Sequence, residues 1–162
     1  MSLAEQNNYD DPLDSIEMIA SLNDWTFERS GKEISIIAKG KWADYQISIS
    51  WLDNFQGLSL VCGFDLRFNK SFENKILLLV SSINSRLWLG HFDIWLKEGL
   101  VLYRNTSFFE KNKTSYKYIE TMINDALDSC DRFFPAFQYV LWAGKSSEEA
   151  LSSVLFETRG EA

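Results

Sequence analysis

Two successive segments in the first half of the chain alternate between apolar and polar side chains. In residues 45–51, "YQISISW", the odd positions are aromatic or aliphatic and the even positions are Gln or Ser. In residues 58–67, "LSLVCGFDLR", Leu, Cys and Phe fill the even positions, and Ser59, Asp65 and Arg67 lie opposite them. Because successive side chains of a strand point to opposite faces of a sheet, both segments are predicted to be strands with one covered face. Such alternation is typical of an antiparallel sheet, and it constrains this fold more than any other feature.

Two further pairs of segments are predicted to form β-hairpins. Residues 25–30, "WTFERS", and 33–40, "EISIIAKG", flank the turn residues Gly31 and Lys32. Residues 87–96, "LWLGHFDIWL", and 100–105, "LVLYRN", flank a second turn that ends in glycine. Short apolar segments separated by glycine-containing turns are the usual signal of a hairpin.

The predicted helices in the first half of the chain are marked by an end signal and by apolar spacing. Asp11 can accept hydrogen bonds from free amides at a helix start, and Pro12 suits the first helical position. This first helix should stop near Asn23, where turn residues follow. A second helix is predicted over about residues 72–87, where apolar residues recur at helical spacing.

The second half of the chain is predicted to hold two more helices. A long helix carries an apolar stripe over residues 119–130, and Pro135 is expected to end or kink it. Residues 146–149 have the S-x-x-E form of a capping box, which opens a last short helix to about Phe156. Acidic positions on these helices (Asp125, Asp128 and Asp131) are expected to be solvated.

The element order is therefore α-β-β-β-β-α-β-β-α-α, which is an α+β fold. The 162 residues suit one domain over residues 11–162, preceded by a flexible polar lead-in at residues 1–10. The prediction is an antiparallel sheet of about six strands with helices packed on it. Its expected buried residues are Ile47, Ile49, Phe64, Leu79, Ile83, Phe92 and Ile94.

The chain's single histidine, His91, lies in the second predicted hairpin. A two-residue loop would place Asp93 opposite Arg104 as a cross-strand ion pair, and a three-residue loop would place it opposite Tyr103. The first register is preferred because it collects the apolar residues on one face, although Glu98 would then need a positive φ. No nucleophile motif accompanies His91, so a structural or surface role is predicted and no catalytic residue is assigned.

Charge and cysteine usage exclude several classes of function. The net charge of −7 argues against nucleic-acid and anionic-membrane partners, since both need a basic face. Cys62 and Cys130 have no metal-ligand spacing, so reduced, buried thiols and no metal or cofactor are expected. A phosphate-binding loop at Gly144 lacks the required earlier glycine, because position 139 is a tyrosine. The N-terminus lacks the pattern of a signal peptide, and a cytoplasmic protein is expected.

The most apolar segment, "RFFPAFQYVLWAG" at residues 132–144, leaves two interpretations open. Its aromatic side chains either fill the core or form a surface for a partner or a second copy. The candidate surface residues are Phe137, Val140, Leu141 and Trp142, or Trp88 and Trp95 on the second hairpin.

Taken together, "WTFERSGKEISI", "GKWADYQISISW", "CGFDLRF", "LWLGHFDIWLKEGLVLYR" and "FPAFQYVLWAGKSSEEAL" resemble the YbjN family, in the version common in alphaproteobacteria. The resemblance extends from about residue 12 to the C-terminus. The family is described as bacterial sensory transduction regulators and resembles type III secretion chaperones in fold. The resemblance implies a non-enzymatic, chaperone-like regulatory module that binds a protein partner as a homodimer. The alternative is a small-molecule sensor, or an enzyme whose site has no recognisable motif.

Overall fold

The alternating segments form a six-stranded antiparallel sheet in a computed structural model of the chain, which describes residues 11–109 and 115–160. The predicted lead-in at residues 1–10 lies outside the described residues. The strands lie in the order β1-β2-β3-β4-β6-β5. They are β1 (Thr26–Ser30), β2 (Glu33–Lys39), β3 (Asp44–Leu52), β4 (Gly57–Arg67), β5 (His91–Trp95) and β6 (Leu100–Phe108).

Within the described residues, four helices accompany the sheet, and all four contribute to one core on its inner face. They are α1 (Pro12–Leu22), α2 (Glu73–Asn84), α3 (Tyr116–Leu141) and α4 (Ser147–Gly160), with a short 3-10 turn at Lys70–Phe72 before α2. The α+β class and the predicted element order are confirmed. Six of the seven side chains expected in the core are fully buried, whereas Ile94 is half-buried.

Side-chain caps begin two of the helices at the predicted residues. The Asp11 carboxylate accepts a hydrogen bond from the amide of Leu13 at 3.0 Å, with Pro12 in the first helical position. The Ser146 hydroxyl accepts one from the amide of Glu149 at 3.2 Å. These local signals fix where α1 and α4 enter the core, because each cap satisfies amides that the helix itself cannot bond.

Pro135 does not end α3, which continues to Leu141. Proline is disfavoured in the interior of a helix. Here the aromatic side chains on both sides of Pro135 are buried against the sheet. Phe134 and Phe137 pack on Phe64 of β4, with ring centroids 5.4 and 5.7 Å apart. The helix ends later, where Gly144 adopts a φ of 63° that favours glycine.

The register of the β5–β6 hairpin differs from both predicted registers. Four residues connect the strands, so Asp93 lies opposite Leu102 and His91 lies opposite Arg104. The longer loop places the positive φ, 64°, at Gly99, and Glu98 is spared the strain that a two-residue loop would impose. A shift of two residues keeps every side chain on its face, so the predicted apolar face of the hairpin is preserved.

Candidate functional site: the open face of the sheet

The outer face of the sheet forms a trough with a volume of about 890 Å³. All six strands contribute lining residues, and no described helix covers this face. Pairing across the strands places Gln46, Gly63 and Leu102 side by side in the middle of the sheet. Gly63 has no side chain, and the side chain of Leu102 lies beside it.

Apolar side chains lie in the trough among polar ones. Ile37 is 49% exposed near one end, and Trp95 is 45% exposed on the edge strand at the other end. Between them, Val61 is half-buried in the floor, and Leu102 also lines it but is only 5% exposed. A large apolar side chain on an otherwise polar face indicates a surface that another molecule can cover.

The charged residues that line the trough are mostly acidic. Glu28, Asp44 and Asp65 contribute three carboxylates, and Arg67 contributes one guanidinium. The carboxylates come from β1, β3 and β4, so negative charge is distributed along the trough. The resulting field attracts cationic groups and repels anions.

Asp93 and Arg104 form an ion pair on the same open face, with Arg104 Nη1 3.1 Å from Asp93 Oδ2. They are diagonal neighbours because of the observed register. Burial opposes ionisation of Asp93, but a hydrogen bond from the Ile94 amide and the contact with Arg104 outweigh it and lower the pKa of the carboxyl. Both side chains are about half exposed, so the pair contributes little to stability, about 0–1 kcal/mol.

His91 begins β5 and is exposed to solvent opposite Arg104. Its position on a strand agrees with the sequence prediction, and its role as a structural or surface residue stays a prediction. Within residues 11–109 and 115–160, no three His, Cys, Asp or Glu side chains lie close enough to hold a metal ion. No helix in these two ranges is both long and apolar enough to cross a membrane.

The candidate aromatic surface on α3 is partly wrong, because Phe137 and Val140 are fully buried. The Phe137 ring packs on Phe92 at 5.6 Å, and α4 covers a second side of α3 that the sheet leaves free. Leu141 is half-buried, and Trp142 is 69% exposed at the end of the helix.

The two tryptophans of the second hairpin region lie in different places. Trp88 is in the connection before β5, not on the strand, and its side chain is fully exposed. Trp95 is on β5 and lines the trough. Of the predicted surface residues, Trp95 is therefore the one that belongs to the open face.

Sequence reasoning missed Ile37, Val61 and Leu102 as parts of a site. A signal for them exists, because each follows an inward apolar residue and so puts an apolar side chain on the polar face. The dipeptides are Ile36-Ile37, Leu60-Val61 and Val101-Leu102. Two consecutive apolar residues within an alternating strand therefore indicate an apolar side chain on the outer face.

The outer edge of β5 is closed by a side chain of α2. Asn84 accepts a hydrogen bond from the Phe92 amide at 2.8 Å and donates one to the Phe92 carbonyl at 2.9 Å. The Asn84 side chain thus takes the place of a neighbouring strand at this residue. Protection of this kind prevents unwanted pairing of an edge strand.

The fold and the open face define a class of protein: a six-stranded antiparallel sheet with helices on one face and a polar trough on the other. The chain belongs to the YbjN family, whose model matches residues 12–139 and is described as "Putative bacterial sensory transduction regulator". No curated protein matches the chain. The crystal structure of E. coli YbjN is similar in fold, with a TM-score of 0.50, 12% identity and 92% of each chain covered. The crystal structure of the ExsC–ExsE complex matches with a TM-score of 0.47 and 13% identity, over 82% of this chain and 96% of that chain.

Proposed function

We propose that this protein is a non-enzymatic interaction module that binds an extended segment of a partner protein in the trough. The observation that carries the proposal is the uncovered trough itself, which crosses all six strands and exposes Ile37 and Trp95 near its two ends. Regulation through such binding agrees with the description of the family.

The length of the trough suits a peptide. Five inter-strand spacings of about 4.8 Å give a length of about 24 Å. An extended chain advances about 3.3 Å per residue, so about seven residues fit across the sheet. A partner segment of this length would cover the central Gly63 and reach the apolar side chains on both sides.

Charge narrows the chemistry of the partner segment. The trough has three carboxylates against one guanidinium, so a segment that combines apolar residues with Lys or Arg is complementary. The net charge of −7 supports a protein partner over nucleic acid or an anionic membrane. We also propose that the interaction takes place in the cytoplasm, a compartment that keeps cysteines such as Cys62 and Cys130 mostly reduced.

A small-molecule sensor is the second candidate function. The volume of about 890 Å³ lies within the range of ligand sites, which is about 300–1,000 Å³. Such sites bury most of their ligand in a concave pocket, whereas this trough lies along the open face of a sheet. The peptide is therefore the better fit.

A variant-controlled capture experiment tests the proposal. Immobilised wild-type protein is exposed to lysate of its native cell, beside the double variant Ile37→Ser, Trp95→Ala and the control Leu22→Ser. Leu22 is also exposed, but it lies at the end of α1, outside the trough. We expect the wild type and the control to retain the same protein and the double variant to lose it.

Hydrogen exchange then locates the bound segment. A synthetic peptide from the captured protein should protect amides of the strands that line the trough, and a charge-reversed peptide should bind more weakly. Equal capture by the wild type and the trough variant would contradict the proposal. A metabolite that stabilises the wild type but not the trough variant, with no protein captured, would favour the sensor.

A further inference from the structure

We propose that Cys62 and Cys130 are an oxidisable dithiol that closes to a disulfide within the native fold. Cys62 lies on β4 and Cys130 on α3, and the sulfur atoms are 3.6 Å apart. Both side chains are fully buried on the inner face of the sheet. A disulfide needs a sulfur separation of about 2.05 Å, so the two sulfurs must approach each other by roughly 1.5 Å.

Two hydrogen bonds hold the backbones of α3 and the sheet at this separation. The Tyr45 hydroxyl donates to Asp131 Oδ1 at 2.6 Å, one residue beyond Cys130. Cys62 pairs with Tyr103 of β6, and the Tyr103 hydroxyl donates to the carboxylate of Asp125, five residues before Cys130 in α3. The sulfur pair therefore lies between two contacts that join α3 to the sheet, and the bridge closes when the two sulfurs approach each other.

Thiol–disulfide exchange with oxidised glutathione supplies the balanced reaction. One cysteine thiolate attacks glutathione disulfide and releases one glutathione thiolate, which leaves a mixed disulfide on the protein. The second cysteine thiolate attacks this mixed disulfide, forms the Cys62–Cys130 bond and releases the second glutathione thiolate. The two cysteine protons end on the two released glutathione molecules, and glutathione gains the two electrons that the protein loses.

Burial controls the rate of this exchange. The hydrogen bond with Cys62 and burial raise the pKa of the Cys130 thiol. Reactive thiolate therefore forms only when the region opens to water, and oxidation is slow compared with that of an exposed thiol. Once formed, the bond is shielded from reductants by the same burial.

The bond would join two residues 68 positions apart and fasten α3 to the central strand of the trough. Cys62 lies between Val61 and Gly63, which line the trough from the other face of β4. Oxidation would fix this part of the floor to the helix layer. The inference does not depend on the proposed peptide binding, since it rests on the inner face alone.

The experiment measures the equilibrium constant for forming the Cys62–Cys130 disulfide with glutathione as the redox partner. The constant of the folded chain is compared with that of the unfolded chain. Wild-type protein is equilibrated with mixtures of reduced and oxidised glutathione, in buffer and in guanidinium chloride, then acid-quenched and alkylated. Because the chain has two cysteines, an internal bridge removes both alkylation sites without adding glutathione. Closing a loop of this length costs the unfolded chain conformational entropy that the folded chain has already lost. The chain-entropy relation therefore predicts that the equilibrium constant of the folded chain exceeds that of the unfolded chain by a factor on the order of 10³.

A ratio above one supports the proposal, and a ratio of one or below overturns it. A folded protein that accumulates only glutathione adducts at single cysteines overturns it as well. As a second measurement, the oxidised wild type should melt at a higher temperature than the reduced wild type. Cys62→Ala and Cys130→Ala should show no such difference, and an unchanged or lower wild-type midpoint would contradict the inference.

Discussion

Tyr45 and Tyr103 connect the inner face of the sheet to the acidic residues of α3. Their rings are fully buried, and their hydroxyls donate to the carboxylates of Asp131 and Asp125. The expectation that the acidic positions of α3 are merely solvated is therefore wrong for these two. Tyr45 and Asp131 are 86 residues apart in sequence, so no local pattern could indicate this contact.

We expect Tyr45→Phe to lower the free energy of unfolding by about 1–3 kcal/mol. The substitution keeps the buried ring and removes a hydrogen bond to a charged acceptor, which is worth more than a neutral one. Chemical denaturation measures the change. Tyr118→Phe is the matched control, because Tyr118 is 71% exposed and should change stability by less than about 0.5 kcal/mol. Equal stability of the wild type and Tyr45→Phe would show that the hydrogen bond contributes nothing.

The same tyrosines predict a loss of stability in alkali. Burial, together with the hydrogen bonds to Asp131 and Asp125, raises the pKa of Tyr45 and of Tyr103 above the ordinary value. A group whose pKa is raised by folding stabilises the protein fully below its unfolded pKa, about 10 for tyrosine. The contribution is lost as the pH rises through the folded pKa values.

Denaturation curves at about pH 8 and above test this prediction. The free energy of unfolding of the wild type should fall steeply above about pH 10. The double variant Tyr45→Phe, Tyr103→Phe should start from a lower value at pH 8 and fall less steeply. Parallel profiles would mean that neither tyrosine titrates differently in the folded and unfolded chain.

At the scale of the elements, the sequence indicates which side of each strand faces the core and leaves the registers open. Period-two alternation gave the covered faces of β3 and β4 correctly, because only one face of this sheet meets the helices. The β5–β6 register could not be read in this way, since a two-residue shift preserves the faces. α3 continues past Pro135 because the aromatic side chains around the proline are buried against Phe64 of β4 and Phe92 of β5. Local helix propensity carries no information about these contacts.

The closed edge of β5 gives a prediction for α2. Replacing Asn84 with Ala removes both partners of the Phe92 backbone, so we expect a loss of about 1–3 kcal/mol. The freed amide and carbonyl should also promote edge-to-edge association. Chemical denaturation and light scattering at increasing concentration measure the two effects. The control Ser81→Ala, at an exposed position on the same helix, should show neither the loss of stability nor the association. If Asn84→Ala behaved like this control, the protection of the β5 edge by Asn84 would be contradicted.

At the scale of the whole molecule, the trough was not predicted because it exists only once six strands lie side by side. Ile37 and Trp95 are 58 residues apart in sequence and come together through the sheet order. The sequence left open whether the aromatic side chains of residues 132–144 fill the core or form a surface. Phe137 and Val140, two of the candidate surface residues, are buried, and the partners of Phe137 (Phe64 and Phe92) lie on strands distant in sequence.

We expect the protein to be a twofold homodimer that uses two exposed tryptophans outside the trough, Trp88 and Trp142. Trp142 is 69% exposed and Trp88 is fully exposed, and neither lines the trough. Indole rings that are this exposed to water are stabilised when a partner surface buries them. A twofold axis needs only one self-complementary surface to form a closed dimer. A dimer formed in this way would leave both troughs open for partner segments.

Light scattering over a wide concentration range tests the dimer and separates it from partner binding. The wild type and the trough variant Ile37→Ser, Trp95→Ala should both have twice the monomer mass of 18.8 kDa. Trp88→Ser, Trp142→Ser should shift toward the monomer mass, whereas the control Leu22→Ser should not. Because the tryptophan surface and the trough are separate, the monomeric variant should still bind the peptide in its trough. It should lose only the avidity that two troughs in one dimer provide. A wild-type mass of 18.8 kDa at every concentration would contradict the dimer and leave the trough as the functional surface of a monomer.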